Sequence, residues 1–255
     1  MRRQNLRRGL ILVSFLLMPV TLYWFSPALI LEAAAAGLVS GSALVFGSLF
    51  VGSLFFGRAW CGWACPGAGL QEACAAVSPR PAGRRRWVKY LIFVPWLAAI
   101  VLLALKAGGF RQVQPLYAMP FGTAIADPRA WIIYFGFVTL IVALAFLGGR
   151  RAFCHYACWM APFMILGTRL KNRAAWPALR LEAEPARCNG CRTCTKNCPM
   201  SLDVEGMVKR GSLENSDCVL CGECVDGCRR GAIRYAFHRA KATELPVRAP
   251  GSPPA

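Results

Sequence analysis

Apolar residues in this chain gather in four long blocks instead of recurring on one face of a helix or alternating along a strand. The blocks run near residues 10–29, 37–56, 87–107 and 130–147. Each is close to the length of about 20 residues that a helix needs to cross a bilayer, so four transmembrane helices are expected. Pro19 and Pro27 bend the first helix or mark its outer end. Beyond Gly149 the chain turns polar, basic and cysteine-rich as far as about Phe237, and a Pro/Gly/Ala-rich tail over 246–255 reads as disordered. The expected organisation is a membrane domain over 1–168, a polar connector over 169–187, a small α+β domain over 188–240 and the tail over 241–255.

Composition agrees with the membrane class. Hydrophobic residues make up 56% of the chain and charged residues 16%, against about 45–50% and about 25% in soluble domains. The basic residues carry the orientation. Arg2, Arg3, Arg7 and Arg8 precede the first block, and the connection over 26–36 holds only Glu32. Arg58, Arg80, Arg84, Arg85 and Arg86 lie between the second and third blocks, and Arg111 and Arg129 between the third and fourth. Arg and Lys are frequent again after Gly149. By the positive-inside rule both termini are cytoplasmic and two connections face out. The net charge of +18 thus reads as a juxtamembrane signal and not as a nucleic-acid surface. The first block is long for a cleaved signal peptide, and Arg2–Arg3 is a weak twin-arginine signal.

Eight of the 13 cysteines fall in two runs, Cys188-x2-Cys191-x2-Cys194-x3-Cys198-Pro199 and Cys218-x2-Cys221-x2-Cys224-x3-Cys228. This is the bacterial ferredoxin spacing. Three close thiolates wrap one Fe4S4 cube and the fourth reaches the other cube. Cys188, Cys191, Cys194 and Cys228 are therefore assigned to cluster one, and Cys218, Cys221, Cys224 and Cys198 to cluster two. A zinc ribbon does not explain two complete runs, and a disulfide framework needs an oxidising compartment. Gly190 and Gly222 suit tight turns at the cluster. Arg229 stands where a proline is usual. The hydrophobic set Leu202, Val204, Met207, Val219, Val225 and Ile233 is thin, so the clusters are expected to supply much of this domain's stability.

An internal repeat marks the membrane edge. Gly57-Arg58-Ala59-Trp60-Cys61-Gly62-Trp63-Ala64-Cys65 follows the second block, and Gly149-Arg150-Arg151-Ala152-Phe153-Cys154-His155-Tyr156-Ala157-Cys158 follows the fourth. Two such hairpins imply pseudo-twofold symmetry about the membrane normal. Cysteines four apart on a helix share a face, so Cys61, Cys65, Cys154 and Cys158 are expected to converge. They could hold a metal or a further cluster, act as redox dithiols, or pack as small hydrophobes. Cys74 reads as core. Trp60, Trp63, Phe153, Tyr156 and Trp159 read as interfacial belt residues with a minor role near a quinone ring. Glu72 reads as a solvated loop carboxylate more readily than as a proton acceptor, and His155 is a minor metal-ligand candidate. Two histidines, neither within the membrane blocks, exclude a bis-His haem there.

These residues resemble the NapH/MauN-like family of membrane 4Fe-4S ferredoxin-type proteins, whose named member is a quinol dehydrogenase membrane subunit of periplasmic nitrate reduction. The likeness rests on Phe25-Ser26-Pro27, Gly37, Gly41-Ser42, the run from Phe56 through Cys65-Pro66, Leu70-Gln71-Glu72, Cys154 and Cys158, and the run from Cys198 through Asp203. Trp159 stands where the second Cys-x3-Cys would be followed by proline. The resemblance implies electron transfer in the bacterial cytoplasmic membrane between quinone or quinol and other redox proteins, such as a soluble ferredoxin or reductase and dehydrogenase subunits. Related accessory and copper-handling oxidase-assembly proteins are usually longer, with extra extracytoplasmic domains. They supply the alternative expectation of a copper-handling, reductase or maturation role for the membrane-edge cysteines.

Overall fold

In the computed structural model residues 2–83, 87–125 and 127–239 are described. Arg84, Arg85, Arg86 and the expected disordered tail lie outside the described residues. The chain opens with helix α1 (Arg2–Leu16), which breaks at Leu17 and continues as α2 (Met18–Thr21) and a 3-10 turn, Leu22–Phe25. The two parts meet at a bend of 58°. Pro19 lies in the first turn of α2, where its missing N–H cannot extend the ladder of α1. Ser26 then caps α3 (Pro27–Ala35), its Oγ accepting from the Leu29 N–H at 3.4 Å. The first apolar block is therefore divided among α1, α2, the 3-10 turn and the start of α3, and the expected outer connection over 26–36 is itself mostly helix.

Gly37, at φ 70°, turns the chain into β1 (Leu38–Ser40), which leads into α4 (Gly41–Phe56). Two short elements follow, α5 (Ala59–Trp63) and α6 (Pro66–Val77). Helix α7 (Val88–Lys106) has a mean hydropathy of 2.3. After β2 (Gln112–Gln114), which pairs in parallel with β1, comes α8 (Pro128–Gly148) with a mean hydropathy of 2.4. At a rise of 1.5 Å per residue α7 and α8 are about 28 and 32 Å long, matching a hydrocarbon core of about 30 Å. Their outer faces present Leu91, Val94, Leu102 and Leu105, and Ile132, Phe135 and Leu147. Among the described residues these two helices are long and apolar enough to cross a membrane; the bent α1–α2 unit reaches that length only when its two parts are taken together, and α4 is a shorter apolar helix of 16 residues.

Helix α8 ends at Gly149 and is followed by α9 (Ala152–Tyr156) and α10 (Met160–Arg173). The sequence α4–α5–α6 is thus repeated as α8–α9–α10, and Gly57 (φ 53°) and Gly149 (φ 90°) make the two left-handed exits. The repeats exchange partners: α10 lies along α4, and α6 lies along α8 and α1. An aromatic knot of Phe46, Phe93, Trp96 and Phe163 ties α4, α7 and α10, with ring centroids 5.1 to 6.2 Å apart.

The C-terminal part is built on an antiparallel ribbon, β3 (Ala178–Ala183) with β4 (Ile233–His238), in the register Leu179↔Phe237 and Leu181↔Tyr235. Between them lie α11 (Thr193–Lys196), α12 (Val204–Lys209) and α13 (Glu223–Asp226). The stretch expected as connector therefore contains the end of α10 and half of this ribbon. Nor is the domain's core confined to its own hydrophobic residues. Leu181, Met200, Leu202, Val208, Val219 and Ile233 pack in one cluster with Cys61, Cys154 and Met164 from the membrane part.

Helices α4 and α10 touch through a glycine. A Cβ on Gly167 would strike the Ser53 hydroxyl and lie 3.0 Å from the Phe50 carbonyl. Overpacking at such a contact costs about 1–3 kcal/mol. Gly167→Leu is therefore expected to lower the thermal midpoint of the detergent-solubilised protein, while Gly167→Ser has a smaller effect.

Candidate functional site

The two ferredoxin-spaced runs fold alike, residue by residue. Gly190 and Leu220 occupy equivalent positions with φ of 73° and 48°, and so do Arg192 (59°) and Gly222 (79°). Three residues past each fourth cysteine, Ser201 and Gly231 repeat the pattern at 51° and 63°. A left-handed conformation costs a non-glycine residue about 1–2 kcal/mol, so Leu220, Arg192 and Ser201 must be held there by their surroundings. For Leu220 the holders are visible. Its carbonyl accepts from the Tyr235 hydroxyl at 2.6 Å and the Trp63 indole at 3.0 Å.

Cys198, Cys218, Cys221 and Cys224 line one apolar cavity, walled by Leu181, Met200, Leu202, Val204, Met207 and Leu213. These are the four cysteines assigned to cluster two, including the one that crosses from the first run. Burial raises their thiol pKa values, to about 12 for Cys218 and about 11 for Cys221, and neighbouring cysteines of the set add to the effect. Of the cluster-one set, Cys188, Cys194 and Cys228 are half-buried against the same core and Cys191 is exposed. Cys228 Sγ accepts the Ala232 N–H at 3.4 Å. Among the described residues no three His, Cys, Asp or Glu side chains close on one point as ligands of a single ion do. Four thiols lining one apolar cavity are the donor set that a [4Fe–4S] group takes.

The membrane-edge cysteines also meet. Cys61, Cys65, Cys154 and Cys158 line a second cavity of about 230 Å³, together with Arg58, Gln71 and the aromatic rings of Tyr23, Phe25, Phe137, Phe153 and Trp159. The expected reason for their convergence needs correcting. Helices α5 and α9 end at Trp63 and Tyr156, so Cys65 and Cys158 lie beyond them and share no helical face with Cys61 and Cys154. The turn that ends each helix brings them in: Cys65 N–H donates to the Trp60 carbonyl at 3.0 Å, and Cys158 N–H to its counterpart Phe153 at 2.9 Å. Pro66 then starts α6 and keeps Cys65 extended, at ψ 123°.

Polar contacts in this cavity are few and specific. Gln71 Nε2 donates to Cys154 Sγ at 3.3 Å, while its Oε1 accepts from Phe153 N–H at 3.1 Å. Cys61 Sγ lies 3.5 Å from Met164 Sδ. Arg58 is wholly buried and donates from Nη1 to Asp217 at 3.4 Å, but its Nε and Nη2 find no hydrogen-bond partner among the described residues. Burial raises the thiol pKa of Cys158 to about 12, helped by Cys154 and Cys61.

Several neighbours depart from their expected roles. Glu72 is no solvated loop carboxylate: Arg7 Nη1 pairs with it at 2.7 Å and Arg151 Nη2 makes a shorter pair. Burial alone would raise this carboxyl, yet Arg151 and Arg7 hold it below the usual range. Arg3, Arg7 and Arg8, expected only as an orientation signal, bind Asp226, Glu72 and Glu223. Gln4 Nε2 donates to the Cys221 carbonyl at 3.0 Å. Of the expected belt aromatics Phe153 is buried, 5.2 Å from Phe137 and 5.8 Å from Trp159, while Trp60, Trp63, Tyr156 and Trp159 are half-buried. His155 is buried beside Tyr156 and not at the cavity wall. Cys74 is a buried residue of α6, as expected of a core position.

The two cysteine cavities adjoin through backbone. A Cβ on Gly62 would strike the Val219 carbonyl and lie 3.4 Å from Cys221 Cα. The loop between Cys61 and Cys65 therefore rests on the loop between Cys218 and Cys221.

Removing a partner from a buried ion pair costs about 3–5 kcal/mol. Glu72→Gln is expected to reduce stability by that order and to raise protease sensitivity at the α1–α13 contact. The wild-type folded carboxyl is depressed, so its contribution is present above the ordinary carboxyl pKa. It is lost as pH falls through the lower folded value. Unfolding midpoints measured from pH 7 to pH 3 should fall for wild type and stay flatter for the variant.

Comparison with known proteins agrees with this geometry. A 4Fe-4S dicluster domain matches residues 187–233, and a 4Fe-4S binding domain matches twice, over 39–86 and 129–174. The second model thus falls on both membrane-edge repeats. The chain is 30% identical to Protein RdxA of Cereibacter sphaeroides, over 74% of this chain and 44% of the relative. It is 25% identical to the putative electron transport protein YccM of Escherichia coli, over 67% and 48%. With nitrogen fixation protein FixG of Rhizobium meliloti the identity is 23%, over 78% and 44%. The chain spans less than half the length of each of these three relatives. No solved structure matches. The chain therefore carries 4Fe-4S ferredoxin-type domains, in its membrane-edge repeats and in its C-terminal part, and is a distant homologue of RdxA, YccM and FixG.

Proposed function

We propose that this chain is a membrane-bound electron-transfer protein that links quinone or quinol to a redox partner through two [4Fe–4S] clusters. Cluster one is assigned to Cys188, Cys191, Cys194 and Cys228, and cluster two to Cys198, Cys218, Cys221 and Cys224. The observation that carries the reading is the succession of sites. An apolar, aromatic-walled cavity among the membrane helices ends on four thiols and Arg58, one loop away from the cluster-two cysteines. When bound, the clusters supply one-electron oxidation and reduction, at potentials anywhere between about −700 and +450 mV.

The chain's own residues would orient the quinone. Phe25, Phe137 and Phe153 line the cavity beside Gln71 and Arg58, and would set the ring of a quinone among apolar and aromatic side chains. The bend between α1 and α2 puts Tyr23 and Phe25 at the cavity wall. In the membrane this reading takes α1–α2, α4, α7 and α8 as four spans with both termini cytoplasmic, α4 being short enough to need local thinning of the bilayer. Reporter fusions at the two termini should both report the cytoplasm, and an extracytoplasmic signal from either end would overturn the topology.

A second reading keeps one specific support. Four thiols with the Met164 thioether 3.5 Å from Cys61 form a soft donor set that suits Cu(I), as a copper-handling or maturation factor would need. Iron and acid-labile sulfide in anaerobically purified protein, with EPR before and after a reduced quinol analogue, separate the two. About eight irons and new cluster signals are expected for two cubes. About twelve would assign a further cluster to the membrane-edge cysteines. Eight irons with no response to quinol, and copper binding lost in Cys61→Ser/Cys154→Ser, would favour metal handling instead. Cys221→Ser is expected to remove about four irons, whereas Cys65→Ser leaves the iron of both C-terminal clusters in place.

A further inference from the structure

The two cluster-assigned cysteine sets differ in what can reach them. Cys198, Cys221 and Cys224 are 8%, 8% and 9% exposed, and the membrane part covers their loops through Gly62, Trp63 and Gln4. Cys191, in the other set, is exposed. A soluble protein exchanging electrons with this chain must therefore approach on the Cys191 side.

That side is basic. Arg192 follows Cys191 and is 71% exposed. Lys209, 59% exposed, has its Nζ 3.8 Å from the Cβ position of Gly190. Arg187, 58% exposed, has Nη1 at the same distance from the Cβ position of Gly231. Arg229 is exposed in the turn after Cys228. Two carboxylates stand among them. Glu184 pairs with Arg187 at 3.0 Å, and Glu205, only 9% exposed, pairs with Lys209 and, at 3.8 Å, with Arg192. The acids are fewer, and Glu205 is nearly covered, so the outward face is cationic.

We propose that this face is the docking surface for the acidic side of a small soluble one-electron carrier. The inference rests on the reading that the eight cysteines hold clusters. The contact need bury little area, because electron-transfer encounters belong to the small, transient class of interface. Charge complementarity then sets how fast partners meet, and salt screens it. The exchange moves one electron and no proton or atom, so oxidation of one partner balances reduction of the other. An anionic lipid headgroup is the competing ligand for such a patch. The exposed redox-assigned cysteine at its centre favours the carrier, since lipid contact gives no reason to expose Cys191.

The test mixes the detergent-solubilised full chain, after iron and sulfide analysis, with an acidic [2Fe–2S] ferredoxin in a stopped-flow cell. A basic cytochrome c serves as the control, and carrier binding to the immobilised chain is measured beside the rates. The expected second-order rate for the ferredoxin falls steeply with salt, while the cytochrome rate does not. Arg192→Glu/Arg229→Glu is expected to slow ferredoxin association about tenfold at low salt and to flatten the salt dependence. Lys209→Glu, at an exposed residue of α12 that belongs to neither cysteine run in sequence, should show a smaller slowing with cluster content intact. This variant keeps the test open if the double variant fails to assemble. Rates and binding indifferent to salt and to charge reversal, in protein with full iron, would overturn the docking surface alone. So would charge reversal that weakens binding to anionic lipid vesicles but not to the carrier. Protein purified without iron would overturn the cluster reading and the docking surface with it.

Discussion

The half-buried carboxylate of Glu72 is the contact on which the junction between the two parts of this molecule depends. It lies on α6 and accepts from Arg7 on α1 and from Arg151 at the start of α9, while Arg7 also reaches Glu223 on α13. One acid and two nearly inaccessible guanidiniums thus join the N-terminal helix, both repeats and the cluster-two loop. Such groups are costly to bury alone and cohere only as a set. A second bridge mirrors the first. Arg58, the repeat counterpart of Arg151, pairs with Asp217, which Lys89 also binds at 2.8 Å. Asp217 immediately precedes Cys218. Both copies of the duplicated arginine therefore have a carboxylate partner, and each bridge ends near the second cysteine run.

This arrangement explains why the C-terminal part folds with so few hydrophobic residues of its own. Its core is continuous with Met164, Cys61 and Cys154, so membrane-side atoms complete it. The left-handed Leu220 is strained, but its carbonyl is gripped from both sides, by Trp63 of the membrane part and Tyr235 of the ribbon. Strain of this kind persists where the surroundings over-determine the backbone. The cysteine loop is thereby pre-shaped by contacts that do not involve the cysteines.

Much of the architecture was legible in the chain itself. The apolar blocks marked α7 and α8 closely, because a lipid-facing helix must be apolar on nearly every side. The ferredoxin spacing placed Cys198 with Cys218, Cys221 and Cys224, which line one cavity. The duplicated Arg-Ala-aromatic-Cys motif pointed to the paired hairpins, and each copy follows a glycine of positive φ, Gly57 and Gly149. Less legible was the first apolar block, where hydropathy alone does not distinguish one span from the bent and broken helices that Pro19 and Pro27 impose. The role of Glu72 was also hidden. A lone acid in a polar stretch carries no mark of partners 65 and 79 residues away.

The sequence by itself marked the two ferredoxin-spaced cysteine runs, the long apolar segments and the motif repeated at Cys61 and Cys154. Those properties follow from side-chain chemistry and local spacing, which survive without a fold. Tertiary structure alone decided that the turns after α5 and α9, and not a shared helical face, gather the four membrane-edge thiols. It alone decided that the N-terminal arginines clasp the cluster segment, and that Cys191 faces solvent while Cys221 lies beneath the membrane part. The arginine clasp depends on contacts between residues far apart in the chain, where burial raises the cost of an unpaired charge and so selects the partner; the cysteine turns and the cover over Cys221 depend on how the chain packs around them.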